Sequence, residues 1–284
     1  MQKRIFYGKN TPIGFQETQS FDQECPYFIR YKEFQNEDLS PLHYGDSVEL
    51  LICSGLTGRV ESGKTGIPID RDMVILIPPQ TVHSVLLQKG AGHLYLLQIS
   101  LEMLRSTVDL EALFRMGGRQ LGLTVLREPA DFREAEDAVE EMIRRDEDPL
   151  GRTAALLRLL AVIQRQAPSL DALTLDEAEQ GDGIKQVIRW TARHFRENIS
   201  LEDAARAAGF SKNYFCSWFK KLTGTTYNQY LCDVRLLHAC TVLQQTGSVS
   251  EACYRSGFRD PSYFVQSFRK KRGCTPKAYL ENSR

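Results

Sequence analysis

Nine side chains in the last third of the sequence have the types and spacing that could read a nucleic acid. Lys212, Asn213, Ser217, Lys220 and Lys221 lie within one helical stretch, and Ser262, Gln266, Arg269 and Lys270 lie within another. Lysine and arginine pair with phosphates. Hydroxyl and amide groups can hydrogen-bond base edges, and glutamine suits an adenine edge. A tenth position, Lys271, and an eleventh, Arg272, extend the second basic run, which standing alone could be an ordinary solvated face. A second kind of chemistry is possible near the other end of the chain. His43, Glu49 and His83 could converge as two imidazoles and a carboxylate, a set that holds divalent transition metals.

The elements that must position the basic residues are legible because they occur twice. Gly209-Phe210 recurs as Gly257-Phe258 at an offset of 48, and Tyr214-Phe215, Phe219-Lys220, Gly224 and Tyr230 recur as Tyr263-Phe264, Phe268-Arg269, Gly273 and Tyr279 at an offset of 49. One extra residue beside Asp260 explains the change. Two copies of one supersecondary unit follow. In the first copy Ser200 caps a short helix with Glu202 and Asp203 in its first turn, Gly209 makes the turn, and Ser211 caps a helix over 212–222 that turns Phe215, Phe219 and Leu222 inward. The second runs from a cap at Ser250 through Gly257-Phe258 and restarts at Asp260-Pro261, with Phe264 and Phe268 inward. A long helix from Thr226 to about Thr246 joins them. Short helix, glycine turn, second helix is the arrangement that enters a major groove, and the long helix could space the two units about one DNA turn apart.

Charge supports this division. The 284 residues carry 36 basic and 36 acidic side chains, but residues 183–284 hold 17 basic and 7 acidic ones, a net of +10, which leaves −10 on residues 1–182. A basic third rides on an acidic body. The 42% hydrophobic content suffices for a core. No 18-residue apolar stretch could cross a bilayer, and Met1-Gln2-Lys3-Arg4-Ile5 lacks the run of a signal peptide, so the chain reads as cytoplasmic, away from any membrane, and as starting at its own first residue. Seven cysteines without close pairing read as free thiols.

The first hundred residues favour short strands at 47–55, 57–63, 72–77, 82–87 and 93–99, broken by glycine and proline, which predicts a small β-barrel or jelly roll. Helical periodicity follows from Asp131. One helix, over about 132–144, ends at Asp148-Pro149-Leu150-Gly151, and a second runs over 153–166. The second is apolar on most sides, so either the barrel or a partner subunit must cover it. The acidic, turn-rich stretch 167–183 reads as a linker. His93, His194 and His238 read as packing or surface residues.

From about Val187 to Tyr279 the chain resembles the DNA-binding domain of the AraC/XylS family of bacterial transcriptional regulators. The resemblance rests on Ile199-Ser200-Leu201-Glu202-Asp203-Ala204-Ala205, Gly209-Phe210-Ser211-x-x-Tyr214-Phe215-x-x-x-Phe219-Lys220, Arg235-Leu236-x-x-Ala239, Gly257-Phe258-x-Asp260-x-Ser262-Tyr263-Phe264-x-x-x-Phe268-Arg269-Lys270 and Thr275-Pro276-x-x-Tyr279. The family often has arginine where this chain has Ser217 and Gln266. Residues 40–100 resemble the cupin-like sensor domain common at the N-terminus of the family, through His43, Glu49, Ile75-Leu76-Ile77-Pro78-Pro79 and His83. A metal-binding cupin would usually have a further histidine where Gly45 stands, so His43, Glu49 and His83 are expected to serve an effector pocket, with no metal, no cofactor and no catalytic residue.

The resemblance thus implies a mixed fold: a cupin-like effector-binding and dimerisation domain over 1–166, a linker over 167–183, and an all-α double helix-turn-helix domain over 184–284. It implies a homodimer whose partners are double-stranded DNA, a small-molecule effector such as a sugar, and RNA polymerase if the protein is an activator. Two alternatives stay open: a metal-dependent cupin enzyme fused to a DNA-binding module, and an N-terminal interaction or dimerisation domain without a ligand.

Overall fold

The computed structural model describes residues 5–7, 27–34, 38–63, 65–88, 91–100, 123–166 and 182–282. Most of the expected linker, 167–181, lies outside these residues, as does the N-terminal Met1-Gln2-Lys3-Arg4. Two apolar runs of the first hundred residues become strands buried on both faces. In β4 (Val48–Ser54), Val48, Leu50 and Ile52 point to one core while Leu51 and Cys53 point to another. Strand β7 (Met73–Ile77) divides in the same way. A strand packed on both sides has no polar face, which is why these segments read as continuous hydrophobic runs.

Beside β1 (Ile5–Tyr7), β2 (Tyr27–Phe34), β3 (Asp38–His43), β5 (Gly58–Ser62), β6 (Thr65–Ile69), β8 (His83–Leu87), β9 (Gly92–Ile99) and β10 (Thr124–Leu126), these strands form two sheets. One has the order β1-β2-β9-β4-β7-β10 and the other β3-β8-β5-β6. The sheets face one another across a core that includes Leu51, Ile75, Leu96, Val60, Ile67 and Val85. The expected sheet-rich domain is thus present as two facing, mainly antiparallel sheets. Five of the strands, β1, β2, β3, β6 and β10, were not among those expected. Prolines explain two of them: Pro41 sits where the β3–β8 register shifts, and Pro68 lies on the sheet-edge strand β6, places where a missing amide donor is tolerated.

Helices α1 (Pro129–Arg144) and α2 (Pro149–Gln166) cover the outer face of the larger sheet. The proline expected to end the first helix instead starts the second: Asp148 accepts a hydrogen bond from the Gly151 amide at 2.9 Å and Pro149 occupies the first turn, where its absent N–H costs nothing. The apolar length of α2 is largely accounted for within the chain. Leu156, Leu159, Leu160 and Ile163 pack against α1 and the sheet, leaving Leu150 and Leu157 exposed.

The C-terminal domain comprises α3 (Asp182–His194), α4 (Leu201–Ala207), α5 (Lys212–Thr223), α6 (Tyr227–Thr246), α7 (Val249–Arg255), α8 (Pro261–Arg272) and α9 (Pro276–Asn282). Helix α3 begins inside the segment expected as linker. Amphipathicity explains this, since Ile184, Val187, Ile188 and Thr191 form a buried stripe. Helix α6 passes through two separate cores. Tyr227, Tyr230, Leu231 and Val234 pack with Phe215 and Phe219, whereas Leu236, Ala239, Cys240, Val242 and Leu243 pack with Phe264 and Phe268. The first core also receives Leu42 and Val82 from the two-sheet domain, with Tyr44 packed against it.

Candidate nucleic-acid interface and buried histidine cluster

The first helix-turn-helix is set by local hydrogen bonds. Ser200 and Asp203 form a reciprocal capping box at the start of α4. Gly209 then takes a φ of 73°, and Gly257 in the second copy a φ of 83°, a region where a side chain is disfavoured. Gly257 has a further constraint: a Cβ there would lie 2.6 Å from the Phe195 carbonyl oxygen, so the second turn docks directly on the chain after α3. Two expected caps differ in the structure. Ser211 precedes α5 without a capping side-chain bond, and α7 is capped by Ser248, which accepts from the Glu251 amide, in place of Ser250. The serine three residues before Glu251 has the geometry to reach its amide; Ser250 lies inside the first turn. Asp260 caps α8 as expected, accepting from the Ser262 and Tyr263 amides, with Pro261 at the first position.

Helices α5 and α8 present matching surfaces. Phe215 and Phe219 on one, and Phe264 and Phe268 on the other, are fully buried. Burial of that stripe turns the opposite face outward. Lys212, Asn213, Ser217, Lys220 and Lys221 on α5, and Ser262, Gln266, Arg269 and Lys270 on α8, are all exposed. The 49-residue offset pairs Asn213 with Ser262, Ser217 with Gln266, Lys220 with Arg269 and Lys221 with Lys270. Two of these side chains have partners inside the protein. Lys212 pairs with Glu202, which raises the lysine above its ordinary pKa, and Ser217 donates to the Asn213 carbonyl oxygen at 3.3 Å. The other two basic positions of the second run do not belong to the surface set: Lys271 pairs with Asp233 at 2.9 Å, and Arg272 is buried.

The repeat also marks two residues not counted among the candidates. Tyr214 and Tyr263 occupy equivalent positions beside the buried phenylalanines, yet they are 56% and 53% exposed. An exposed aromatic preserved in both copies is a surface group able to meet a backbone or base, and the offset of 49 was the signal that could have singled it out.

His194 and His238 are structural. His194 Nδ1 lies 3.0 Å from Glu197. Arg196 can only donate, so its 3.0 Å bond to His238 Nε2 requires an unprotonated nitrogen there, and His238 Nδ1 donates to Ser256 at 2.9 Å. Burial, then the nearby Arg196 and Arg255 charges, hold the His238 pKa down to about 4. His93 pairs with Glu136 at 2.8 Å, outside the histidine cluster.

That cluster gathers His43, Glu49 and His83, with one ligand-type atom from each lying within 4.8 Å of the others. Glu49 comes from β4, His43 from the end of β3 and His83 from the start of β8. Glu49 Oε2 is 3.4 Å from His83 Nε2 and 3.9 Å from His43 Nε2, while Gln98 donates to Glu49 Oε1 at 3.1 Å. Burial pulls the Glu49 carboxyl upward, but the two facing imidazoles outweigh it and hold the pKa well below the carboxylate range. Burial opposes protonation of His43, and Glu49 outweighs that to raise its pKa.

Comparison with known proteins agrees with this geometry. Residues 204–282 match the family model described as a helix-turn-helix domain. The chain is 34% identical over 110 residues to the uncharacterized HTH-type transcriptional regulator YdeC of Bacillus subtilis, covering 38% of each chain. It is 30% identical over 119 residues to the HTH-type transcriptional activator RhaS of an Enterobacter species, covering 42% of this chain and 41% of that one. The match therefore spans about two-fifths of these relatives' lengths. Among solved structures, ToxT from Vibrio cholerae superposes with a TM-score of 0.54 at 14% identity, over 91% of this chain and 98% of that one. An unsaturated fatty acid-bound ToxT superposes with a TM-score of 0.51 at 13% identity, over 89% and 94%. These likenesses show a shared fold: a sheet-rich N-terminal domain with following helices, and a helical C-terminal domain. The duplicated helix-turn-helix, its motifs and its relatives together place the C-terminal domain of this chain in the AraC family.

Proposed function

We propose that the chain is a DNA-binding transcriptional regulator that recognises specific sequences through α5 and α8. One observation carries this reading: two helices, equivalent under the internal repeat, bury the same aromatic pair and expose corresponding amide, hydroxyl and basic groups. Lys220, Lys221, Arg269 and Lys270 contact phosphates, with Lys212 joining them when its pairing with Glu202 exchanges. Asn213, Ser217, Ser262 and Gln266 read base edges. Helix α6 has 20 residues, roughly 30 Å at about 1.5 Å per residue, close to the ~34 Å of a DNA turn. Both helices can therefore address one face of a duplex.

The two-sheet domain with α1 and α2 acts as the sensor, residues 167–183 as its connection, and 184–284 as the reader, with α3 opening two residues earlier. The effector is a small molecule. A sugar was expected from the resemblance; the fatty acid held by ToxT belongs to that protein but shows that this fold accommodates other classes. The exposed Leu150 and Leu157 on α2 favour pairing of two chains there. RhaS is an activator, which supports contact with RNA polymerase here. Because the relatives of the reader domain are regulators, the histidine cluster is assigned no catalytic role.

Selection of random duplexes by the full chain tests the reading. Recovery of one sequence bound at least ~1,000-fold more tightly than unrelated DNA at physiological salt is expected. Equal retention of all sequences, abolished by salt, would refute specific recognition.

A further inference from the structure

The histidine cluster is built as a metal site, down to the groups behind its ligands. His43 Nδ1 donates to the Pro41 carbonyl at 2.7 Å, and His83 Nδ1 donates to the Thr81 carbonyl at 2.9 Å. A carbonyl only accepts, so both Nδ1 atoms carry a proton, and in the ring form that binds a metal each Nε2 presents its lone pair. Those lone pairs face Glu49, whose other oxygen is held by Gln98. Metal-bound histidines are oriented by this kind of second hydrogen bond.

Among the described residues no group satisfies the centre of the cluster. His83 is 1% exposed, and its Nε2 has no hydrogen-bond partner despite the carboxylate 3.4 Å away. At 3.9 Å His43 Nε2 is also too far from Glu49 to share a proton with it. A bound cation would satisfy all three groups at once. Metal–ligand bonds near 2.1 Å place ligand atoms about 3 to 3.5 Å apart, so the observed separations need little closure. Two imidazoles with one carboxylate favour a first-row transition ion over magnesium or calcium.

The site's position gives it a consequence. Its ligands alternate with residues that leave the sheet domain: Leu42 and Tyr44 flank His43, and Val82 precedes His83. Leu42 and Val82 are buried in the core formed by Ile184, Val187 and Ile188 of α3 and Tyr230 of α6, and Lys185 lies over the Tyr44 ring at 5.6 Å. The two ligand-bearing loops are also tied together. The Gln80 amide donates to the Gly45 carbonyl at 2.7 Å and the Gln80 side chain reaches Asp46, although this requires Gln80 to adopt a φ of 61°. Gly45, where a further histidine was expected in a metal-binding cupin, thus serves the site through its backbone.

We propose that His43, Glu49 and His83 bind one divalent first-row transition-metal ion, and that this ion, by fixing the loops at 42–44 and 80–83, governs how the sheet domain grips the first helix-turn-helix core. This departs from the expectation of a metal-free pocket. Its effect on DNA rests on the function proposed above; metal binding itself does not.

The test uses the full chain, stripped with chelator and titrated with Co²⁺ alone, followed by its visible absorption and by amide exchange. Uptake of about one equivalent is expected, with exchange slowing at Ile184, Val187 and Ile188. His43→Gln, at the rim, and Glu49→Gln should both lose the uptake and the slowing, with His43→Gln deciding if the buried Glu49→Gln fails to fold. Failure of folded wild-type protein to take up Co²⁺, or unchanged uptake in folded His43→Gln, overturns the site. Uptake with unaltered exchange in α3 overturns the coupling. Specific DNA binding by protein that takes up no Co²⁺ would sink this inference alone, whereas uptake without specific DNA binding would sink the function proposed above and leave the site standing.

Discussion

Gln266 and Arg269 lie on the same exposed face of α8 but should fail in different ways when removed. Gln266→Ala should cost about 1–3 kcal/mol on the preferred site and relax preference at one base pair, leaving binding to unrelated DNA unchanged. Arg269→Ala should weaken binding to all sequences alike and reduce the salt slope by about 0.9. Binding isotherms at several salt concentrations on matched and mismatched duplexes distinguish them. The equivalent pair on α5, Ser217 and Lys220, should divide in the same manner. At this scale the sequence was informative where chemistry and repetition coincided, as with the surface residues of the two helices. It was less informative for Lys271 and Arg272, which look like their neighbours yet turn inward to Asp233 and the core. A basic run on a helix covers every direction within four residues, and composition carries no record of which side is packed.

The elements of the C-terminal domain are held by two cores that share one helix. Phe219→Ala and Phe268→Ala each empty a fully buried site, and each should cost about 3–5 kcal/mol by chemical denaturation. Because Phe219 packs with the first half of α6 and Phe268 with the second, amide exchange should rise first in the half that lost its ring. His238, on α6 and bonded to Ser256, gives this domain a pH dependence. Its folded pKa of about 4 lies below the ordinary 6.5, so the unfolded chain takes up the proton first. Its stabilising contribution is complete above about pH 6.5, declines as pH falls toward 4, and does not decline further below that. His238→Gln should therefore flatten the fall in melting temperature over this window relative to wild type. The helices and their glycine turns were legible because capping and aromatic spacing are local. Strands β2 and β3 were not, because they pair with β9 and β8 far along the chain, and proline in β3 and β6 hides the strand signal of both.

For the whole molecule, the zero net charge conceals an acidic body and a basic reader, and that division survives in the fold. Contact between the parts could not be read from sequence. Leu42 and Val82 look like ordinary strand-end residues, and only the folded chain shows them entering the core of the first helix-turn-helix. The same contact brings the histidine cluster next to the reader. Leu42→Ala should loosen this grip, with faster exchange in α3 and little change in α8. The central claim, that both halves of the repeat read DNA, is most directly tested by footprinting the full chain on its selected site. Two protected segments about 10 base pairs apart on one face of the duplex are predicted, the nearer of each pair of contacts weakening separately in Ser217→Ala and Gln266→Ala. A single protected segment, unaffected by changes on one of the two helices, would contradict it.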